Sequence, residues 1–200
     1  MNNAPAYSAN LTGKPLLFTE TRMTAQMRCK GMADDQILKE IWDHNLYQYN
    51  GRKELLDRAR AILRRLDTLS PDLLDTVANG PLDLARLTVL YSIVKSNRLM
   101  AEFMYLVYLP NARMADGTIQ RSDVDEFFRM LTEQDDAVSS WSESTIAKLK
   151  QVLVKTLAEV GLVVSPQDPR ITRPLVTEAY RTALESAGDE LFAQILTGGV

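Results

Sequence analysis

Apolar residues recur at the spacing of an α-helix through most of this chain, and strict alternation of apolar and polar residues is scarce. The clearest case lies between Gly51 and Ser70. At about 100° per residue, Leu55, Ile62 and Leu69 fall on one face there, which must be the buried face of a helix. The chain is therefore predicted to be mainly α, a compact helical protein.

The first two helices are joined by a tight turn. The pattern predicts one helix from Thr19 to Gly31 and a second that begins near Asp34 and places Ile41 and Trp42 on one apolar stripe. Two short helices joined so closely have the geometry of a helix-turn-helix, which helical hairpins of other functions share. A helix-turn-helix-like part is therefore expected, with the third helix in the place of a recognition helix.

The last third of the chain changes character. Leu162-Val163-Val164 and Arg170-Ile171-Thr172 are β-prone runs on either side of a proline-rich turn, and they predict one small β-hairpin wing. A long helix from Glu143 to Val160 precedes them, in the order of a winged helix, and a final helix is predicted from Leu175 to Thr197. We predict three parts: an N-terminal arm over residues 1–18, a helix-turn-helix-like half over 19–110 and a winged-helix-like half over 111–200.

Composition excludes several classes of protein. A hydrophobic fraction of 46% is enough to form a buried core, which excludes an intrinsically disordered chain. The formal net charge of −3 excludes nucleic-acid binding through bulk positive charge, so any such binding needs a local basic face. The single cysteine, Cys29, excludes an intrachain disulfide.

Nothing in the sequence points to secretion or to a membrane. The first ten residues have neither the basic nor the apolar region of a signal peptide. The most apolar stretch, Leu82 to Leu109, is interrupted by charges such as Arg86, Lys95 and Glu102, and each would cost about 2.5–3.5 kcal/mol near the centre of a bilayer. We therefore expect a cytoplasmic protein without a membrane partner, in which this stretch forms a buried helix or helix pair.

The residues needed for common catalytic and metal sites are missing. Zinc sites need three or four Cys, His or carboxylate ligands at short spacings, whereas this chain has one cysteine, Cys29, and one histidine, His44. The acidic residues around Asp123 and Asp135 lack the spacing of a calcium loop. We predict no enzymatic activity and no catalytic residue, no metal or other cofactor, and no small-molecule substrate.

The third helix carries the strongest local basic charge, with six basic residues against three acidic ones between Gly51 and Ser70. Lys53, Arg60 and Arg64 fall in a narrow stripe about a quarter turn from the apolar face, and Arg58 and Arg65 form a second stripe on the other flank. Such a stripe can bind phosphates whatever the base sequence. A solvated helix surface shows the same pattern, so the charges alone leave both interpretations open.

Matching candidates lie in the second half of the chain. Lys148 and Lys155 line the polar side of the predicted helix from Glu143 to Val160. An ordinary solvated face explains these two lysines as well. The sequence predicts phosphate contacts through six residues, namely Arg52, Lys53, Arg60, Arg64, Lys148 and Lys155.

The order and spacing of short motifs resemble a known family. The segments that carry the resemblance are Tyr7-Ser8-Ala9-Asn10-Leu11-Thr12-Gly13-Lys14-Pro15-Leu16-Leu17, Glu20-Thr21-Arg22, Asn45-Leu46, Arg64-Arg65-Leu66, Lys95 with Phe103, Ser144-Thr145 to Lys148-Leu149, and Ala158-Glu159-Val160-Gly161-Leu162. They resemble the BrxA family of bacteriophage-exclusion (BREX) systems over nearly the whole chain.

This resemblance implies a bacterial cytoplasmic protein of an anti-phage locus, with helix-turn-helix or winged-helix-like parts. It also implies binding to double-stranded DNA without known catalysis, beside larger BREX proteins that methylate host DNA and block phage replication. We therefore predict a DNA-binding accessory protein whose partners are double-stranded DNA and other BREX proteins. Two alternatives stay open: a protein–protein assembly module of the same complex, and an RNA-binding helical protein of the antitermination type.

Overall fold

A computed structural model describes residues 5–197, and they are mainly helical. The α-helices are α1 (Phe18–Cys29), α2 (Asp34–His44), α3 (Arg52–Leu66), α4 (Pro71–Asn79), α5 (Leu82–Ser96), α6 (Arg98–Phe103), α7 (Leu109–Ala112), α8 (Arg121–Gln134), α9 (Asp136–Ser139), α10 (Glu143–Glu159), α11 (Glu178–Ser186) and α12 (Glu190–Thr197). A 3-10 turn, Ala9–Thr12, precedes α1, and a π-helical segment, Met104–Tyr108, joins α6 to α7.

The chain divides into two compact units. Leu16–Ser92 form one of them, which we call the inserted unit. The segment up to Pro15 and the chain from Ile93 onward form the other, which we call the flanking unit. The functional division of the chain between residues 110 and 111 stays a prediction.

The core of the inserted unit forms around α3. Ile62 and Leu66 are 0% and 1% exposed, and burial of each such side chain contributes about 1.5–3 kcal/mol. Both α1 and α2 pack on α3, and α1 also packs on α4. The Ser70 hydroxyl accepts a hydrogen bond from the Leu73 N–H (3.4 Å), and Pro71 occupies the first turn of α4. Ser70 and Pro71 therefore define the start of α4.

One guanidinium connects three helices of the inserted unit. Arg28, in the last turn of α1, donates to Asp34 at the start of α2 (2.8 Å) and to Asp67 just after α3 (2.7 Å). The Arg28 side chain is 15% exposed, so these ion pairs are partly shielded from water. They fix the end of α3 against the turn between α1 and α2.

In the flanking unit, α6 and α10 hold the N-terminal segment. The Tyr7 hydroxyl donates to Glu102 (2.5 Å), and the Arg98 guanidinium lies 4.0 Å from the Tyr7 ring centroid and binds Glu102 (2.7 Å). The turn Ala9–Thr12 packs against α10. Residues 1–4 of the predicted arm lie outside the described residues, and the arm over 1–18 stays a prediction.

The most apolar stretch of the sequence forms α5, α6 and the π-helical segment. Leu87, Leu90 and Phe103 are fully buried, so the prediction of buried helices is confirmed. Tyr105 and Leu106, in the π-helical segment, are 50% and 43% exposed. Over residues 5–197, no helix has both the length and the apolar character that crossing a bilayer requires.

The predicted β-hairpin wing is wrong. In the part of the chain that the structure describes there is no β-strand; two isolated antiparallel bridges pair Thr118 with Arg170 and Val163 with Ile171. The Ile171 N–H donates to the Gly117 carbonyl (2.8 Å), so the segment around Ile171 contacts both the Val163 and the Gly117 segments. The two prolines of the turn lack the N–H groups that would extend a ladder, and the β-prone runs are too short to continue it.

The predicted final helix from Leu175 to Thr197 is also wrong, because the chain forms two helices there. Gly188 adopts φ +81°, and its N–H donates to the Glu185 carbonyl (2.9 Å), which ends α11 in a left-handed cap. Leu175 lies before α11 and is 94% exposed. The apolar spacing was correct for two helices, but it did not show the break between them.

Candidate nucleic-acid interface

The solvent side of α3 carries three of the predicted phosphate contacts. The apolar residues of this helix turn inward, which leaves Lys53, Arg60 and Arg64 exposed. Within the described residues, Lys53 and Arg64 form no ion pair. Arg60 Nη1 lies 3.7 Å from Asp57 Oδ1, and these side chains are 52% and 45% exposed, so the pair contributes about 0–1 kcal/mol. These cations are therefore accessible to an anionic ligand.

Arg52, the fourth predicted contact on α3, is exposed but held by the protein. Its guanidinium lies 5.2 Å from the Trp42 ring centroid and donates a hydrogen bond to the Trp42 carbonyl. Trp42 is 40% exposed, although the sequence placed it on the same stripe as Ile41, which is fully buried. Trp42 follows Ile41 by one residue and so points about 100° away from it. This offset was the signal for an exposed tryptophan.

The second basic stripe predicted on α3, Arg58 with Arg65, is not a surface feature. Arg65 is 6% exposed, and burial, followed by the positive charge of Arg64, lowers the pKa of its guanidinium to about 10. Arg58 donates to Glu54 (2.5 Å) and to the Tyr49 hydroxyl (2.6 Å). Both arginines are therefore occupied inside the unit, and the accessible charge of α3 lies on the other flank.

The two predicted contacts on α10 differ from each other. Lys148 is exposed, and it forms no ion pair in the described part of the chain. Lys155 Nζ lies 3.6 Å from the carboxylate of Glu159, one turn further on. The neighbouring Lys150 binds Asp125 (2.6 Å), and this hydrogen bond lowers the pKa of the Asp125 carboxyl. On α10, therefore, Lys150 is held in a close ion pair, Lys155 has a loose one like that of Arg60, and Lys148 is unpaired within the described residues.

A groove of about 1010 Å³ runs beside α10 in the flanking unit. Its walls are α10, the start of α8 and the turn around Pro166. Apolar residues of the lining are Ile119, Val124, Ile146, Ala147, Val154, Pro166 and Pro169, and charged residues are Arg121, Asp125, Glu143, Lys150 and Lys155. The lining thus combines apolar surface with charges of both signs. Lys155 therefore lies at this groove as well as on the predicted DNA face.

The residues considered for a metal site form no cluster in the described part of the chain. Among residues 5–197, no group of three or more His, Cys, Asp or Glu side chains is arranged to hold a metal ion. His44 contacts Glu40, one turn earlier on α2 (3.4 Å). Partial desolvation and, second, the charge of Asp75 raise the pKa of the Cys29 thiol, whereas a nucleophilic cysteine needs a lowered pKa.

The structure places the six predicted contacts on two helices. Four lie on α3 in the inserted unit, and two lie on α10 in the flanking unit. Contact of any of them with a nucleic acid stays a prediction. The fold and the site together define a helical protein with an accessible cationic helix face.

A comparison with protein families gives a narrower class. The sequence model of the BrxA family matches residues 5–188, and the chain therefore belongs to the BrxA family. The family resemblance found in the sequence motifs is confirmed.

Three relatives, each named BREX protein BrxA, match most of the chain. The protein from Bacillus cereus (strain H3081.97) is 29% identical over 96% of both chains. The protein from Paramagnetospirillum magneticum (strain ATCC 700264 / AMB-1) is 26% identical over 84% of both. The protein from Escherichia coli O9:H4 (strain HS) is 23% identical, and the match covers 99% of this chain and 93% of the Escherichia coli protein.

The fold is also found in a solved structure. The crystal structure of an uncharacterized protein from Magnetospirillum magneticum is similar to this chain with a TM-score of 0.78 and 25% identity. The match covers 96% of this chain and 98% of that one.

Proposed function

We propose that the chain binds double-stranded DNA through its phosphates, without base-specific readout and without catalysis, as a cytoplasmic accessory component of a BREX phage-defence system. The observation that carries the proposal is the exposed stripe of α3, where Lys53 and Arg64 have no carboxylate partner among the described residues and Arg60 has a weak one. Lys148 and Lys155 are proposed as weaker second contacts. The names of the relatives support the defence assignment.

The physical basis of the proposed binding is the release of counterions from DNA. Duplex DNA carries one negative charge per ~1.7 Å of its axis, and lysine or arginine bound to a phosphate releases condensed cations whatever the base sequence. Such binding needs a local cationic face, so it is compatible with the net charge of −3 of the whole chain. The guanidinium groups of Arg60 and Arg64 can each donate two hydrogen bonds to one phosphate.

The position of α3 supports the same proposal. It follows α2, which is itself joined to α1 by a short turn, and it packs on both of them. In helix-turn-helix proteins, the helix that enters the DNA groove is supported by the preceding helices in a similar way. We propose that α3 has this role and that its contacts are restricted to the phosphate backbone.

A titration of fluorescently labelled duplex DNA, followed by anisotropy at low salt, tests the proposal. We expect the wild-type chain to bind duplexes of unrelated sequence with similar affinity. Replacing Lys53, Arg60 and Arg64 by alanine should weaken binding to all of these duplexes equally, because phosphate contacts carry no sequence information. Absence of wild-type binding at low salt would contradict the proposal.

A matched control removes the same amount of charge elsewhere. Arg129, Arg170 and Arg181 are exposed, but each binds a carboxylate at 2.5–2.6 Å. Replacing these three by alanine should leave DNA affinity close to that of the wild type. A loss equal to that of the α3 variant would mean that total charge, and not the α3 stripe, determines binding.

Structured RNA presents the same phosphate charges in a different helical geometry. A competition between unlabelled duplex DNA and a structured RNA hairpin therefore separates the proposed function from the RNA-binding alternative. We expect duplex DNA to displace the labelled duplex at lower concentration. Stronger displacement by RNA would favour the antitermination-type protein.

The groove beside α10 favours a second candidate function, that of an assembly module for other BREX proteins. Ile146 and Val154 contribute apolar surface there, and apolar surface surrounded by charge is a common protein-binding arrangement. In this candidate, Ile146→Asp should abolish co-purification with BREX partners at high salt. Lys148→Ala, outside the groove lining, is the control. Retention of all partners by Ile146→Asp would exclude the groove as the binding site.

A further inference from the structure

The indole of Trp42 and the guanidinium of Arg52 form a stacked pair at the surface of the inserted unit. The Arg52 Cζ atom lies 5.2 Å from the ring centroid, and Arg52 also donates a hydrogen bond to the carbonyl of Trp42. The pair therefore connects the end of α2 to the first residue of α3. Trp42 remains 40% exposed and Arg52 is exposed.

This pair differs from two other arginine–aromatic stacks of the chain in what else the arginine binds. The Arg58 guanidinium stacks on Tyr49 (4.3 Å) and binds Glu54, and the Arg98 guanidinium stacks on Tyr7 (4.0 Å) and binds a carboxylate of its own helix. Within the described residues, no carboxylate lies in ion-pair range of Arg52. Its positive charge is therefore positioned but not neutralised.

The acidic residues near Trp42 on α2 already have partners. The Asp43 carboxylate binds the Lys39 ammonium at 2.5 Å, and this hydrogen bond is the main reason why the pKa of Asp43 is lowered. The Glu40 carboxylate contacts the His44 ring at 3.4 Å. The charge of Arg52 is the smallest of the causes that lower the pKa of Asp43, so Asp43 interacts with Arg52 weakly and leaves its charge available to an external anion.

We propose that the Trp42–Arg52 stack is a preorganised phosphate-binding element, in which Trp42 positions the guanidinium and Arg52 contacts the phosphate. Arginine has five N–H donors, so one bond to the Trp42 carbonyl leaves others for a ligand. A free arginine loses side-chain freedom when it binds, at a cost of about two- to tenfold in affinity, and a guanidinium already held flat on an indole avoids part of that loss.

This inference rests on the proposed DNA binding, and it makes Trp42 an uncharged positioning residue for it. Because an exposed cation–π contact changes an equilibrium by about two- to fivefold, Trp42→Leu should weaken binding of labelled duplex DNA by about that factor. Trp42→Phe keeps an aromatic face and should retain most of the affinity. Arg52→Lys keeps the charge but loses the planar group, and it should weaken binding by a similar factor.

A double-mutant cycle separates positioning from independent effects. If the two side chains act as one element, the double variant Trp42→Leu/Arg52→Lys should bind duplex DNA with the same affinity as whichever single variant binds less tightly. Trp141→Leu, which removes the other tryptophan of the chain, is the matched control and should bind as the wild type does. Thermal melting of each variant shows whether a loss of DNA affinity is due to unfolding. If Trp42→Leu lowers the melting temperature, the DNA affinities of Trp42→Phe and Arg52→Lys test the inference in its place.

The outcomes distinguish this inference from the proposed function. Wild-type affinity in Trp42→Leu and in Arg52→Lys, or losses that multiply in the double variant, would overturn the stack and leave DNA binding intact. Normal DNA affinity together with loss of a protein partner in Trp42→Leu would also overturn it and would identify Trp42 as a protein contact. Absence of DNA binding by the wild type would overturn both.

Discussion

The helices α3 and α10 have similar buried sides but differ in what their cations meet at the surface. Ile62 in α3 and Leu153 in α10 are both fully buried. On α3, Lys53 and Arg64 have no ion pair in the described part of the chain, whereas on α10 Lys155 faces Glu159 and Lys150 binds Asp125. The number of basic residues on a helix is therefore a poor guide to how many of them are available to bind phosphate. The carboxylates within reach, on the same helix or on a neighbouring one, determine how much charge remains accessible.

The largest effects are expected from the buried sides, where the two helices should behave alike. Ile62→Ala and Leu153→Ala each remove a fully buried side chain, and each should lower the free energy of unfolding by about 2–5 kcal/mol. Chemical denaturation followed by circular dichroism measures this. If one of the two replacements has no effect, the assumed equivalence of the cores fails.

The next largest effect should distinguish the two surfaces. Each phosphate contact is worth about eightfold at 0.1 M salt, so alanine at Lys53, Arg60 and Arg64 should weaken duplex binding by about a hundredfold or more. Alanine at Lys148 and Lys155 should weaken it by about sixtyfold at most, because it removes two contacts instead of three, and Lys155 has a loose ion pair (3.6 Å) like that of Arg60 (3.7 Å). The anisotropy titration gives both values. A larger loss from the α10 pair would reverse the comparison and make α10 the main contact.

Two neighbouring residues of α3 allow the same comparison within one helix. Arg65 is 6% exposed, and Arg64 is exposed. Arg65→Ala should lower the free energy of unfolding by about 1–3 kcal/mol, because it removes a buried side chain and its contacts, while Arg64→Ala should change it by less than about 0.5 kcal/mol. At a temperature where both variants are folded, Arg64→Ala should bind DNA more weakly than Arg65→Ala. Equal stability of the two variants would contradict the burial of Arg65.

The smallest effects should come from the carboxylates. Asp57→Asn removes the weak partner of Arg60 and one negative charge beside the stripe, and it should strengthen duplex binding by about twofold. Glu159→Gln makes the same change of charge on α10 and should have a smaller effect. If the two variants are indistinguishable in the titration, the carboxylate spacing does not explain the difference between the helices.

The helical part of the fold could be predicted because apolar spacing reports directly on which side of a helix is buried. The ends of α1 lie within two residues of the predicted Thr19 and Gly31, and α3 lies between Gly51 and Ser70 as predicted, since glycine and serine signals act locally. Apolar spacing and end signals gave no comparable test of the predicted hairpin around Pro166. The two runs do exchange hydrogen bonds, from the Val164 N–H to the Arg170 carbonyl and from the Thr172 N–H to the Leu162 carbonyl, but the pairing stops at one bridge. The sequence shows neither this limit nor the bond from the Ile171 N–H to the Gly117 carbonyl.

The candidate site was predictable to the level of a helix face but not of each side chain. Periodicity gives the angle at which Arg65 leaves α3, but burial depends on neighbours that the sequence does not place. The same limit explains Trp42, which was assigned to an apolar stripe and is 40% exposed. The ion pair between Lys150 and Asp125 joins α10 to α8, so no local pattern could have revealed it.

The salt dependence of duplex binding tests the central claim most directly. The logarithm of the binding constant should fall linearly with the logarithm of salt concentration, and the slope should become shallower by about 0.9 for each phosphate contact removed. We predict a clearly shallower slope when Lys53, Arg60 and Arg64 are alanine, and an unchanged slope when Arg129, Arg170 and Arg181 are alanine. The same slope in the α3 variant as in the wild type would contradict the account.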